Sequence, residues 1–180
     1  MTGSFRSLNP LVENGPFMFF TKTCGFDTIK GNYRNGDMIG NWSYKNANNE
    51  PIIINYDFTL KECLNYEGNQ FDQNNYYVIV EKMPTFNGGD INTFREFITK
   101  TLIFPPMACH RKFSGTVFVI FTVNAGGEVC NISISKSSFN KDLDREILRA
   151  LSISPKWEPG SQNGKNVNVR INLPFVFKLQ

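Results

Sequence analysis

The stretch from Val167 to Leu179 constrains the fold of this chain most. Val167, Val169, Ile171, Leu173, Phe175, Phe177 and Leu179 are apolar; Asn168, Arg170, Asn172 and Lys178 fall between them, with Pro174 and Val176 as exceptions. Period-two alternation over such a length predicts one long strand, with one face on a core and the other toward solvent. The same period returns at Val117, Val119, Phe121 and Val123. After the turn signal Asn124-Ala125-Gly126-Gly127, a strand from Glu128 to Ser135 carries Cys130, Ile132 and Ile134 in one inward phase. Phe118 and Ile120 are apolar on the opposite phase, so the second sheet face needs partial cover. Helical spacing appears at Phe94, Phe97, Ile98 and Leu102 behind Asp90, a good N-cap, and at Leu143, Ile147, Ala150 and Leu151 behind Asn140 or Asp142. A short helix starts at Phe104-Pro105-Pro106-Met107-Ala108. The long strand, the hairpin before it and the two main helices read as a mixed α+β unit.

The first part of the chain reads differently. Residues Met1–Pro16 have no clear period and form a loose lead-in. From Phe17 to Tyr66 the pattern is all-β. Asn35-Gly36 is a strong hairpin signal, because both centre positions of a type I′ turn need positive φ. It sets Arg34 against Asp37, Tyr33 against Met38, Gly31 against Gly40 and Ile29 against Trp42, with a slot at the two glycines for an aromatic ring. Gly31-Asn32-Tyr33-Arg34-Asn35-Gly36 and Gly40-Asn41-Trp42-Ser43-Tyr44 resemble a MORN-type repeat, and residues 51–66 resemble a degenerate second copy. Residues 67–75 are Gly, Asn, Gln and Asp with one Phe, and read as a linker. The domain at 76–180 then opens with a short apolar strand, Tyr76–Val80.

Composition excludes several classes. A net charge of +3 without a Lys/Arg block gives no nucleic-acid footprint. No run approaches the ~20 apolar residues of a membrane span, so the expectation is a chain with neither export signal nor anchor of its own. Cys24, Cys63, Cys109 and Cys130 lack metal-ligand spacing, and buried free thiols are the expectation, with one bridge per domain as the alternative. No metal, cofactor or catalytic residue is expected. His110 is the single histidine, and its neighbour Cys109 points about 100° away from it on a helix. Gly88-Gly89-Asp90 lacks the residues of a cyclase signature and reads as a turn before a helix.

Residues 81–179 resemble the TonB C-terminal domain in its Bacteroidetes form. The resemblance rests on an ordered series: Glu81-Lys82-Met83-Pro84-x-Phe86-x-Gly88-Gly89, then Phe104-Pro105-x-x-Ala108, then Gly115-x-Val117-x-Val119-x-Phe121-x-Val123 with Gly127-x-Val129. Asp144 (or Asp142), Glu146 and Arg149 follow in the second main helix, then Trp157-x-Pro159-Gly160, Gly164-Lys165-x-Val167 and Leu173-Pro174-x-x-Phe177. The resemblance implies a two-layer α+β domain, a three-stranded antiparallel sheet with two main helices on one face, and a non-catalytic periplasmic module that grips the TonB box of an outer-membrane receptor as an added strand. Inner-membrane motor proteins would act through an anchor not seen in this chain. Strand addition requires a free backbone edge. The expected docking residues are Asn166, Val167, Asn168, Val169, Arg170, Ile171 and Leu173, bordered by Phe104 and Pro105, with pairing ending near Pro174, which has no N–H. An envelope adaptor or sensing scaffold reusing this fold is the alternative. A cytoplasmic location and a homodimer are also left open.

Overall fold

A computed structural model of the chain describes residues 14–20, 25–46, 50–63 and 76–178. They fall into two compact units, Met1–Asp57 and Phe58–Gln180. The expected linker at residues 67–75 lies outside the described residues, as does most of the lead-in.

The first unit is an antiparallel meander of β1 (Asn14–Phe20), β2 (Thr28–Arg34), β3 (Asp37–Lys45) and β4 (Pro51–Asn55), in that spatial order. Asn35 and Gly36 both take positive φ, 51° and 79°, as the tight turn requires. Arg34 pairs with Asp37 and Tyr33 with Met38, as expected. The register then departs from expectation. Asn32 pairs with Ile39 but Lys30 with Ser43, so Ile29 faces Tyr44 and not Trp42. Two extra residues of β3 are taken up in a bulge at Gly40, whose φ is +63°. An even shift keeps the inward phase, so Ile29, Tyr33, Met38, Trp42 and Tyr44 are all buried. The anticipated slot exists at Gly31: a Cβ there would sit 2.0 Å from the Trp42 ring. Trp42 meets Tyr33 edge-on at 5.0 Å and Tyr56 at 6.3 Å. Residues 58–63 form no strand, so no second hairpin appears there among the described residues.

The second unit contains α1 (Ile91–Thr101), α2 (Pro106–His110), β5 (Gly115–Val123), β6 (Val129–Lys136), α3 (Lys141–Ser152), β7 (Gly160–Gln162), β8 (Lys165–Val167) and β9 (Val169–Phe177). Its main sheet is antiparallel in the order β6-β5-β9, and β7-β8 is a separate hairpin. Val117, Val119, Phe121 and Val123 of β5 and Val169, Ile171, Leu173, Phe175 and Phe177 of β9 join Phe94 and Ile98 of α1 and Leu143, Ile147, Ala150 and Leu151 of α3 in one core. The anticipated α+β architecture is therefore present. Asn140 caps α3, its side chain accepting from Asp142 and Leu143 N–H at 3.0 and 3.1 Å.

Asp90 caps α1 in the same way, accepting from Asn92 N–H at 2.8 Å and Thr93 N–H at 3.4 Å. The Asn92 N–H is the main reason its carboxyl lies below the ordinary 3.8; desolvation opposes this, and the Thr93 N–H adds to it. A depressed folded-state value means that the cap contributes above the unfolded pKa and is lost as pH falls through the folded one. Acidification from pH 5 to below 3.8 therefore lowers the exchange protection factors of the Asn92 and Thr93 amides, taken relative to intrinsic rates at each pH, and Asp90→Asn flattens that response.

Two local features revise the expected strands. The long C-terminal strand is broken at Asn168, whose side-chain oxygen accepts from Ala125 N–H at 2.9 Å in the β5–β6 turn. Lys165–Val167 instead pairs with Gly160–Gln162. In β6, Asn131 has φ +49° and the register shifts there: Ile120 pairs with Ser133 but Thr122 with Cys130. One extra residue moves a side chain to the other face. Cys130 thus leaves the phase of Ile132 and faces away from the helices, where it is disulfide-bonded to Cys63. Cys109 is also disulfide-bonded, so the free-thiol expectation is corrected on both counts.

Candidate functional site

The disulfide holds residues 58–63 against the β6 edge. Arg145 of α3 lies over the Phe58 ring at 5.2 Å, Asn131 N–H donates to the Lys61 carbonyl at 2.8 Å, and Cys63 N–H donates to the Asn131 side chain at 3.0 Å. The segment thereby passes from the helix layer round the sheet edge to its outer face. There it borders a cavity of about 380 Å³ lined by Leu60, Lys61, Tyr76, Thr122, Ser133 and Arg170. The cavity reaches the outer face at Thr122 and Ser133, whereas the outward Phe118 ring of β5 is met by Lys136 Nζ, 5.6 Å from its centroid.

The opposite edge of the sheet is β9. Its first rung is occupied from within the chain. Tyr77 N–H donates to the Asn168 carbonyl at 2.9 Å, and Arg170 N–H donates to the Tyr77 carbonyl at 2.8 Å. This is a single parallel bridge between Tyr77 and Val169, where a short strand was expected. The Arg170 guanidinium lies over the Tyr76 ring, 4.4 Å from its centroid. Because Arg170 directs its N–H away from β5, alternate residues do the same. Arg170 C=O, Asn172 N–H and C=O, Pro174 C=O and Val176 N–H form the remaining outward ladder; Asn172, Pro174 and Val176 are exposed. Pro174 leaves one rung without a donor.

The segment entering the domain, residues 81–89 (the entry segment), is tied to the β7–β8 hairpin and the residues before it. Lys82 and Ser161 exchange backbone hydrogen bonds at 3.2 and 2.9 Å, and Thr85 and Glu158 do so at 3.0 and 2.9 Å. The Glu81 carboxylate accepts from Asn163 N–H at 3.0 Å and from the Gln162 side-chain amide at 3.2 Å. Gly160 permits this close approach, since a Cβ there would meet Val169 at 2.7 Å and the Lys82 carbonyl at 3.1 Å.

The sequence-predicted docking residues therefore separate into three environments. Asn166 and Val167 pair with β7, and Asn166 also reaches the Ala125 carbonyl at 3.4 Å. Asn168, Val169 and Arg170 surround the rung filled by Tyr77. Ile171 and Leu173 point into the core, and the backbone between them carries outward groups only at Asn172. Phe104 and Pro105 are not beside this stretch: Phe104 meets Phe177 edge-on at 6.0 Å, at the other end of β9. Eight residues of strand, roughly 26 Å, separate Val169 from Phe177. Tyr76 and Tyr77 were not among the predicted site residues. Their run of aromatic and β-branched neighbours was the available signal.

Among the described residues no cluster of His, Cys, Asp and Glu could hold a metal, and no helix is long and apolar enough to cross a membrane.

The second unit is thus a two-layer α+β domain with one sheet edge directed outward. Residues 100–179 match the family model described as Gram-negative bacterial TonB protein C-terminal, and this chain carries a TonB C-terminal domain there. The chain is 37% identical over 78 residues to protein TonB of Xanthomonas campestris pv. campestris strain B100, covering 42% of this chain and 34% of that protein. It is 32% identical over 80 residues to protein TonB of Pseudomonas aeruginosa, covering 43% and 22%. The match thus spans about a third or less of these curated relatives. Among solved structures, the solution NMR structure of the Pseudomonas aeruginosa TonB CTD is 30% identical, covering 44% of this chain and 79% of that one, with a TM-score of 0.38. The Helicobacter pylori TonB CTD (residues 194–285) is 24% identical, covering 50% and 94%, again with a TM-score of 0.38.

Proposed function

We propose that the second unit is a non-catalytic, periplasmic peptide-binding module of a TonB-type energy-transducing protein. It takes an extended receptor segment, the TonB box, as an added strand along the outward edge of β9. The observation that carries this reading is the pair of hydrogen bonds at Tyr77: this edge already accepts an extended segment in parallel orientation, so its geometry suits strand addition. Main-chain bonds supply general affinity, and side chains beside the edge, Arg170 and Asn172 first, supply choice. The MORN-like reading is kept in this proposal for the β-meander of the first unit alone, because the contacts of residues 58–63 join them to the second unit.

Titration with a TonB-box peptide, followed by amide shifts, tests the reading. Shifts concentrated between Asn166 and Val176 are expected; shifts confined to the helices, or none, overturn it. The alternative reading is an envelope scaffold that reuses the fold without energy transduction, and the separately cored β-meander favours it. That reading fails if deleting the gene abolishes uptake through a TonB-dependent receptor.

A further inference from the structure

We propose that Tyr76-Tyr77 is a built-in competitor for the β9 edge, a segment that an incoming peptide must lift away. The inference rests on the strand-addition reading above and adds the regulation of that site. Three observations carry it. Tyr77 uses the two backbone groups that a parallel partner of Val169 would need, Asn168 C=O and Arg170 N–H. Tyr76 covers the Arg170 guanidinium, the one cationic side chain on β9 itself. The segment is lightly held beyond those contacts: Tyr77, Val78 and Ile79 are 43%, 63% and 84% exposed, and Val80, at 8%, is the next residue seated in the core. Lifting Tyr76–Ile79 about a pivot at Val80 therefore uncovers the rung while leaving the core intact.

Two backbone bonds and one cation–π contact are enough to keep the rung mostly closed, and weak enough for a peptide with several rungs to displace them. The apparent affinity of the peptide is then reduced by the fraction of molecules in which the rung is free. Displacement also hands Arg170 a new neighbour. A peptide that brings an aromatic side chain to the place of Tyr76 restores the stacking, which gives the edge a side-chain preference in addition to its backbone affinity.

The test uses the full chain and a TonB-box peptide as probe. In the wild-type protein, binding should deprotect the Tyr77 amide against hydrogen exchange while Arg170, passed from one carbonyl acceptor to another, stays protected. The Tyr76→Ala/Tyr77→Pro variant should bind the same peptide about tenfold more tightly, and Tyr76→Ala alone about threefold. The exchange measurement needs no variant, so a misfolded double variant does not block the test. Tyr77 protection that survives saturation with peptide overturns the competition, as do variants with unchanged or weakened affinity. A peptide that binds neither form overturns the strand-addition reading and the competitor with it, an outcome distinct from equal binding by both.

Discussion

Replacing Trp157 with alanine should destabilise the second unit by about 3–5 kcal/mol. Trp157 is 4% exposed, and its ring lies 4.5 Å from Phe94, 5.3 Å from Phe86 and 6.0 Å from Phe121. It therefore joins the entry segment, α1 and β5 in one aromatic cluster. Its indole N–H donates to the Ser154 hydroxyl at 3.2 Å, so the polar end of the ring is satisfied. Its backbone N–H donates to Gly127 C=O at 2.8 Å. Gly127 has φ +82°, and a Cβ there would meet the Trp157 carbonyl at 2.1 Å, so the β5–β6 turn is pressed directly against this residue. Truncation removes the largest side chain of the cluster between elements that have little room to collapse. Denaturant unfolding of wild type and Trp157→Ala, followed by a probe specific to the second unit, should show a lower midpoint at similar slope. Trp157→Phe should recover more than half of the loss. A midpoint shift equivalent to under 1 kcal/mol would show that the ring cluster does not hold these elements together.

Glu146→Ala should cost a similar amount, about 3–5 kcal/mol, for a different reason. Glu146 and Arg149 are both buried, and the guanidinium donates to the carboxylate at 2.6 and 2.9 Å. The pair also holds backbone: Glu146 accepts from Ile103 N–H at 2.8 Å, and Arg149 donates to Thr101 C=O at 3.0 Å. It is a clasp between α3 and the chain leaving α1. Removing the carboxylate takes from the buried Arg149 guanidinium its Glu146 partner and leaves the Ile103 N–H without this acceptor, and desolvation makes both costly. Glu146→Met/Arg149→Leu should be much milder than either single alanine change, because it removes both charges and keeps the volume. If the double variant is as unstable as Glu146→Ala, charge burial is not the cause. The segment that this clasp fixes leads to Phe104, which packs on Phe177. Amide shifts in Glu146→Ala should therefore reach the C-terminal end of β9.

The elements of the second unit were legible where one local rule sufficed. Alternation marked the apolar faces of β5 and β9. Asp90 and Asn140 marked two helix starts through oxygen acceptors placed just ahead of apolar periods. The turn at Asn124–Gly127 was marked by its glycines. What was hidden depends on single residues that change phase. Asn tolerates a left-handed backbone, but the residue type at 131 permits that conformation without dictating it, and the conformation puts Cys130 on the other face and decides what it can bond. At Asn168 the residue type fits the alternation, and the break comes from a hydrogen bond to a turn more than forty residues away. Gly40 is similar: a glycine permits a bulge but does not say how many residues it absorbs. The candidate edge was legible as a strand. Its occupation by Tyr77 was not, because the pairing of a five-residue apolar run is settled by where the sheet leaves a rung, not by the run itself.

The bond between Cys63 and Cys130 also fixes how the second unit would carry a mechanical load. Tension that reaches Cys63 along the chain passes at that sulfur bridge directly into β6. A peptide added to β9, as proposed, would pull on the opposite margin of the same sheet. Load on that path then travels sideways through β5, across two antiparallel ladders in series. The weakest link under such tension is the ladder with the fewest rungs, which is the one formed with the peptide. The domain would let go of its ligand before it unravelled.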